Sequence, residues 1–125
     1  MKTVISAAGA PAAIGPYSHA IATGNFLFTS GQIALDPATG KLAGDSIEVQ
    51  AEQVLKNLEA VLTSNDMTFA NVIKTTVFLT DLADFAVVNG IYATRFPENS
   101  PARSCVQVAG LPGGSKIEIE LIACK

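Results

Sequence analysis

Four side chains near the C-terminus, Arg103, Cys105, Glu118 and Glu120, are the strongest candidates for chemistry. They lie in the segments ARSCVQVA and KIEIELIAC, which alternate as β-strands do and are separated by GLPGGS, so the pattern predicts a hairpin. In the register that places the valines of the first strand against the isoleucines of the second, all four side chains share the opposite face. A guanidinium on such a face is either a fixed binding group for a small anion or one half of a structural ion pair.

The residue types alone favour the structural ion pair, which typically contributes about 0.2–1 kcal/mol. Cys105 is better explained as a small buried hydrophobic residue than as a nucleophile, because the only histidine, His19, is distant in the sequence. One histidine and two separated cysteines do not form the spacing of a zinc site, so we expect no metal. Phosphate-binding glycine motifs and a Ser-His-Asp pattern are also absent from the sequence.

Length and composition predict one globular domain over residues 1–125. Hydrophobic residues make up 49% of the chain and charged residues only 15%. So few charges on so small a protein indicate that copies of the chain cover part of its surface. The net charge of −3 leaves no basic stripe that could neutralise phosphates, which argues against nucleic-acid binding.

The cysteines and the apolar segments indicate in which cellular compartment the protein is located. Cys105 and Cys124 stand on separate predicted strands, and the start MKTVISAAGAP lacks the long apolar run of a signal peptide. No apolar segment approaches the roughly 18 residues needed to cross a bilayer. We therefore expect a soluble cytoplasmic protein with reduced thiols and no membrane contact.

Hydrophobic periodicity predicts an α+β protein with the element order β-β-β-α-β-α-β-β and both helices on one face of a mainly antiparallel sheet. The predicted strands cover 2–6, 17–23, 26–33, 72–81, 102–109 and 116–124, and the helices cover about 18 residues from Ser46 and about 84–96. A capping box of Asp45 and Glu48 is expected to start the first helix, and Asp81 or Asp84 to cap the second.

The second face of this sheet is harder to explain from a single chain. A sheet that is wet on one side should carry a polar residue at every second position, yet FLFTSGQI and VIKTTVFL alternate poorly. Burial of that face between subunits accounts for the pattern.

Five segments resemble signature segments of the RidA/YjgF family of reactive-intermediate deaminases: AIGPYSHA, FTSGQIALDPATG, VIKTTVFLTDLADFAVVNGIY, FPENSPARSCVQVAGLP and KIEIELIA. They follow the family's order over residues 3–123. The resemblance implies a chorismate-mutase-like fold, assembled as a homotrimer whose three sheets line an inner barrel and whose ligand clefts lie between subunits. It also implies hydrolytic deamination of the enamine and imine acids 2-aminoacrylate, 2-iminopropanoate and 2-iminobutanoate to 2-keto acids and ammonium, without a cofactor.

The resemblance also implies which residues form the site. Arg103 matches the arginine that holds the substrate carboxylate, and Glu118 matches the glutamate that positions or activates water. Five further residues match positions that line the cleft: Tyr17, Ser30, Gly31, Asn89 and Cys105. The chemistry suits these residue types, because a guanidinium can grip a carboxylate with two hydrogen bonds and a carboxylate can serve as a weak base.

Two other functions remain as alternatives. A non-catalytic protein that binds or senses small 2-keto or 2-imino acids would use the same arginine. A ribonuclease or translation inhibitor, as reported for some relatives, is disfavoured because the chain lacks a basic surface and a pair of histidines. We therefore expect an imine deaminase that acts on a small 2-imino acid and needs neither metal nor cofactor.

Overall fold

The structure is a computed structural model that describes residues 1–125. Two helices and seven strands form the α+β architecture predicted from the sequence. The strands are β1 (Thr3–Ile5), β2 (Ala20–Thr23), β3 (Phe26–Thr29), β4 (Gln32–Ile33), β5 (Val72–Leu79), β6 (Ala102–Gln107) and β7 (Ile117–Cys124), and the helices are α1 (Ile47–Thr63) and α2 (Phe85–Ala93).

The seven strands form one sheet in the order β1-β2-β3-β7-β5-β6, with β4 pairing β7 beyond the end of β3. All pairs are antiparallel except β5 and β6. The predicted hairpin of the last two strands is therefore wrong, because β5 lies between β6 and β7. The physical reason is the helix α2, which connects β5 to β6 and lets the chain cross over to form a parallel pair.

A β-bulge separates β3 from β4, so the predicted continuous strand over 26–33 is also wrong. Phe28 pairs with Ile122, and Gln32 pairs with Ile119. Four residue steps from β3 to β4 therefore stand opposite only three steps in β7. The extra residue exchanges the two faces of the strand: Phe28 is 44% exposed, whereas Gln32 is 5% exposed on the helix side. This exchange explains why FLFTSGQI alternates poorly.

Capping hydrogen bonds fix the starts of the helical segments. Ser46 caps α1 by accepting a hydrogen bond from the Val49 amide at 3.2 Å, so the predicted capping box of Asp45 and Glu48 does not form. Asp81 caps the 3-10 turn that precedes α2, and α2 itself ends at Ala93 rather than near 96. The apolar residues of α1, spaced three and four apart, are buried: Ile47, Ala51, Val54, Leu55, Leu58, Val61 and Leu62.

The face of the sheet away from the helices is not covered within the chain. Phe26, Phe28 and Val106 are between 43% and 44% exposed, in agreement with the expected uncovered face. Exposed aromatic and branched side chains in this number are typical of a contact surface. Neither helix has the length and apolar character that crossing a membrane would require.

Asn57 on α1 fixes the position of β4 through buried hydrogen bonds. Its Nδ2 atom donates to the carbonyl oxygens of Ile33 and Leu35 at 3.1 and 2.9 Å. Its Oδ1 atom accepts from Gln53 Nε2 at 2.8 Å, so the 1%-exposed side chain is satisfied on both sides. The segment after the bulge is thus tied to the helix layer as well as to β7.

We predict that Asn57→Leu destabilises the protein although it keeps the number and branching of the side-chain heavy atoms. The two carbonyl groups lose a buried donor, so the free energy of unfolding should fall by about 1–3 kcal/mol in urea denaturation. Glu59→Gln on the solvent side of the same helix is the control and should change it by less than about 0.5 kcal/mol. Equal stability of Asn57→Leu and the wild type would contradict this role.

Candidate functional site

Arg103 lies on β6 opposite Thr75 of the parallel neighbour β5, and its side chain points to the helix side of the sheet. There its guanidinium carbon is 4.9 Å from the ring centre of Tyr92 and 5.4 Å from that of Phe85. Nη1 donates a hydrogen bond to Asn89 Oδ1 at 2.8 Å. Two aromatic rings and one amide therefore hold the cation in a fixed orientation.

Helix α2 supplies all three contacts from one face. Phe85, Asn89 and Tyr92 stand four and three residues apart, which places them above one another along the helix. The Tyr92 hydroxyl is anchored in turn by a 2.7 Å hydrogen bond with Thr75 Oγ1, and burial raises the pKa of Tyr92. The hydroxyl therefore stays protonated at neutral pH and the ring keeps its place beside Arg103.

Arg103 has no carboxylate partner in the chain. The only salt bridge joins the other arginine, Arg95, to Glu52, with contacts of 2.8 and 3.0 Å, and this pairing holds the pKa of Glu52 below its ordinary value. The Nε and Nη2 edge of Arg103 makes no hydrogen bond within the chain. A cleft of about 300 Å³ opens in front of it, which we call the Arg103 cleft: Asn89, Tyr92, Ala93, Phe96, Ser100, Pro101 and Arg103.

Glu118 lies on β7 opposite Phe78, and its side chain points to the face away from the helices. Burial raises the pKa of this carboxyl group, and the negative charge of Glu120 raises it further. Gly31 makes room for the group: a Cβ atom at that position would lie 2.7 Å from Glu118 Cδ, so the carboxylate would have to move. The glycine at the bulge thus lets the backbone approach the carboxylate.

A second cleft, of about 320 Å³, surrounds this carboxylate, and we call it the Glu118 cleft. Ser30 is fixed within it, because its amide donates to the His19 carbonyl oxygen at 2.9 Å and its hydroxyl donates to that of Ser18 at 2.6 Å. The wall is polar on the side of the bulge and apolar elsewhere: Ile14, Tyr17, Ser30, Gly31, Ile33, Pro112 and Glu118.

The predicted meeting of Arg103 and Cys105 with Glu118 and Glu120 on one face is wrong. Arg103 and Cys105 follow the helix side of β6, whereas Glu118 and Glu120 follow the other side of β7. The error follows from the wrong hairpin, since inserting β5 between the strands changes which side chains align. Within one chain, the sheet itself separates the arginine from the two glutamates.

Four of the five remaining predicted site residues divide between the two clefts. Tyr17, Ser30 and Gly31 line the Glu118 cleft, and Asn89 lines the Arg103 cleft. Cys105 lines neither cleft. Burial raises the pKa of its thiol despite the opposing charge of Arg103, so the group is protonated at neutral pH and is a poor nucleophile.

Sequence reasoning missed the two rings that hold Arg103 and the apolar wall around Glu118. Phe85 and Tyr92 lie in the helix predicted over about 84–96, and the polar Asn89 between them on the same helix face is a usable signal. Ile14, Ile33 and Pro112 come from three distant segments, and no local pattern joins them. No group of three or more histidine, cysteine, aspartate or glutamate residues is placed to hold a metal ion.

Comparison with known proteins assigns the family. A model of the endoribonuclease L-PSP family matches residues 7–125. The chain belongs to this family. The chain is 54% identical over 122 residues to Reactive Intermediate Deaminase A, chloroplastic, of Arabidopsis thaliana. The alignment covers 98% of this chain but only 65% of that longer protein. The 2-iminobutanoate/2-iminopropanoate deaminase of Rattus norvegicus is 50% identical over 123 residues, with 98% and 90% of the two chains covered.

Solved structures of the L-PSP family share the fold. The crystal structure of E. coli TdcF with bound serine superposes with a TM-score of 0.93 at 41% sequence identity and covers 98% of both chains. The resemblance to the RidA/YjgF family and the α+β fold of the single chain are thereby confirmed, while the homotrimer stays a prediction. The 2-iminobutanoate/2-iminopropanoate deaminase name belongs to three mammalian relatives that are 48–50% identical to the chain.

We predict that Glu120→Gln lowers the pKa of Glu118. Removing the neighbouring negative charge favours the ionised carboxylate, while burial should keep the pKa above the ordinary value. Carboxyl carbon chemical shifts followed by NMR as a function of pH measure the effect. Glu98→Gln removes the same charge from an exposed position and serves as the control. An unchanged Glu118 titration in Glu120→Gln would contradict the proposed charge coupling.

Proposed function

We propose that the protein hydrolyses small 2-imino acids to 2-keto acids and ammonium as a homotrimer. Each complete site is formed by the Arg103 cleft of one subunit and the Glu118 cleft of its neighbour. The observation that carries the proposal is the placement of a fixed, unpaired guanidinium and a carboxylate of raised pKa on opposite faces of one sheet. A substrate can contact both only where two copies meet.

Substrate binding follows from the free edge of Arg103. Nη1 is occupied by Asn89, which leaves Nε and Nη2 to donate two parallel hydrogen bonds to a carboxylate. The aromatic rings of Phe85 and Tyr92 fix the plane of this fork, so the bound carboxylate has one orientation. Serine, the ligand bound to TdcF, shares with a 2-imino acid a carboxylate next to a carbon that bears nitrogen.

Hydrolysis then needs a water molecule placed at the imine carbon. Glu118 accepts a proton from this water as its oxygen bonds to the carbon of the protonated imine, which becomes a carbinolamine. The same carboxyl group returns the proton to nitrogen, and the C–N bond breaks as the hydroxyl oxygen forms the C=O bond of the 2-keto acid. The hydroxyl proton passes to the departing ammonia, which leaves as ammonium. The raised pKa of Glu118 suits both steps, because a stronger base takes the proton and a protonated carboxyl can return it.

The trimer is supported by the uncovered face of the sheet. Exposed Phe26, Phe28 and Val106 lie on the side that carries Glu118, so association through this face would bury them and complete the clefts together. A head-to-tail contact that closes after three copies gives three equivalent sites.

Both cysteines are free, as expected in the reducing cytoplasm where we place the protein.

We predict that the wild-type protein shortens the lifetime of 2-iminopropanoate released by a dehydratase in a coupled assay. Arg103→Lys keeps the charge but loses the fork and the ring stacking, so kcat/KM should fall about 10- to 100-fold. Arg95→Lys changes the paired arginine, which lies in neither cleft, and is the matched control. Unchanged activity in Arg103→Lys would refute the two-point grip on the carboxylate.

Glu118→Gln separates catalysis from simple binding. If the protein is an enzyme, this variant should bind a 2-keto acid such as pyruvate with nearly wild-type affinity and lose most of its imine hydrolysis. If wild-type protein binds the keto acid but leaves the imine lifetime unchanged, the protein is a binding or regulatory protein that uses the same clefts.

We predict that two inactive variants restore activity when they share an assembly. Arg103→Ala and Glu118→Gln chains, unfolded together in equal amounts and refolded, should regain about a quarter of wild-type activity, because random pairing leaves that share of sites with both residues intact. The same variants mixed without unfolding are the control. Absence of recovery, with refolded wild-type protein fully active, would show that the site does not form between subunits.

A further inference from the structure

The loop between β1 and β2 forms one wall of the Glu118 cleft yet has little structure of its own. Residues 7–16 contain no helix or strand, and the loop contributes Ile14 to the cleft while its continuation contributes Tyr17. Its internal hydrogen bonds are few. The Ala10 amide donates to the Ala7 carbonyl oxygen, the Tyr17 amide donates to the Gly15 carbonyl oxygen, and the Ile14 amide donates to the Tyr17 hydroxyl. These bonds do not attach the loop to the sheet.

The side chain of His19 makes that attachment. Nδ1 accepts a hydrogen bond from the Ala7 amide at 2.8 Å, and Nε2 lies 2.7 Å from the Pro11 carbonyl oxygen. An amide can only donate and a carbonyl oxygen can only accept, so the imidazole must be neutral with its proton on Nε2. The ring is 8% exposed and uses both nitrogen atoms.

No other hydrogen bond joins residues 7–16 to the chain beyond residue 17. Apolar packing adds to the attachment, because Ala7 and Ala10 are buried and Gly9 approaches Ala60 of α1 closely enough that a Cβ there would lie 3.2 Å away. Small side chains alone define a position loosely, however, since they offer little shape to lock into place.

The backbone of the same residue links the loop to the bulge. The His19 carbonyl oxygen accepts the Ser30 amide, and the Ser18 carbonyl oxygen accepts the Ser30 hydroxyl. Ser18 and His19, which follow Tyr17, therefore join the end of the loop to Ser30, the neighbour of the glycine beside Glu118. Both walls of the cleft meet at His19, although its side chain does not reach the Glu118 carboxylate.

We propose that neutral His19 is a positioning residue that holds the 7–16 loop, and through it Ile14 and Tyr17, against the Glu118 cleft. The proposal rests on the proposed function for its kinetic consequence only, because the attachment of the loop can be measured without any substrate.

Glutamine and leucine at position 19 test the attachment. A glutamine amide offers one acceptor and one donor on neighbouring atoms, as the neutral imidazole does, whereas leucine fills space without either. In hydrogen exchange, the hydrogen-bonded amides of Ala7, Ala10 and Tyr17 should exchange at least about tenfold faster in His19→Leu than in the wild type and within about threefold in His19→Gln. Equal exchange in all three proteins, or fast exchange in both variants, would overturn the proposal.

Imine kinetics test the consequence for the site. KM should rise about five- to tenfold in His19→Leu and less than about twofold in His19→Gln, because a displaced wall weakens substrate contact. A purely structural role would reduce the amount of folded enzyme and leave KM unchanged, and that result would overturn the positioning role. Absence of imine hydrolysis in the wild type would instead count against the proposed function and leave the exchange result valid.

Nitrogen NMR of the wild type gives a test that needs no variant. The single histidine should show the Nε2-protonated neutral tautomer at neutral pH, together with a slowly exchanging Ala7 amide. If His19→Leu does not fold, this signature and the behaviour of His19→Gln decide the matter. An Nδ1-protonated ring or an unprotected Ala7 amide would overturn the proposal.

Discussion

The pairing of β5 with β6 on one side and β7 on the other is the constraint on which the site depends. Side chains alternate along each strand, so the partner of Thr75 in β6 and the partner of Phe78 in β7 must point to opposite faces. Arg103 and Glu118 occupy these two positions. The sheet therefore separates the two groups within one chain, and in the proposed trimer the uncovered apolar face would join an Arg103 cleft to a Glu118 cleft of another copy.

The two arginines show how differently the fold can treat the same charge. Arg95 is neutralised by Glu52 near the surface, where such a pair contributes about 1 kcal/mol or less. Arg103 lies beside two rings, and its only hydrogen-bond partner is a neutral amide. No carboxylate of the chain neutralises its positive charge, which is therefore available to bind an anion. A cation held in this way is organised before its ligand arrives, and little of the binding free energy is lost in ordering it.

Local patterns in the sequence predict most of the elements, and long-range pairing accounts for the errors. The stripe of α1 and the β-branched run of β5 follow from periodicity within each segment. The neighbour of β6 cannot be read in this way, because two strands separated by a short glycine-rich loop look like a hairpin whether or not a third strand lies between them. Family resemblance named Arg103 and Glu118 as site residues, which stays a prediction, and the face of the sheet on which each lies could come only from the register.

The bulge at Ser30 and Gly31 has a consequence for the evolution of the chain. Deleting one residue there would return β4 to the parity of β3, so Gln32 would move to the outer face and the carboxylate would lose the gap beside it. The turn around Gly40 bears no such relation to the sheet register, since it closes a surface loop with open space around the glycine. Insertions and deletions should therefore accumulate in the surface loop over 36–44 in related chains, while the distance in sequence from Phe28 to Gln32 stays fixed.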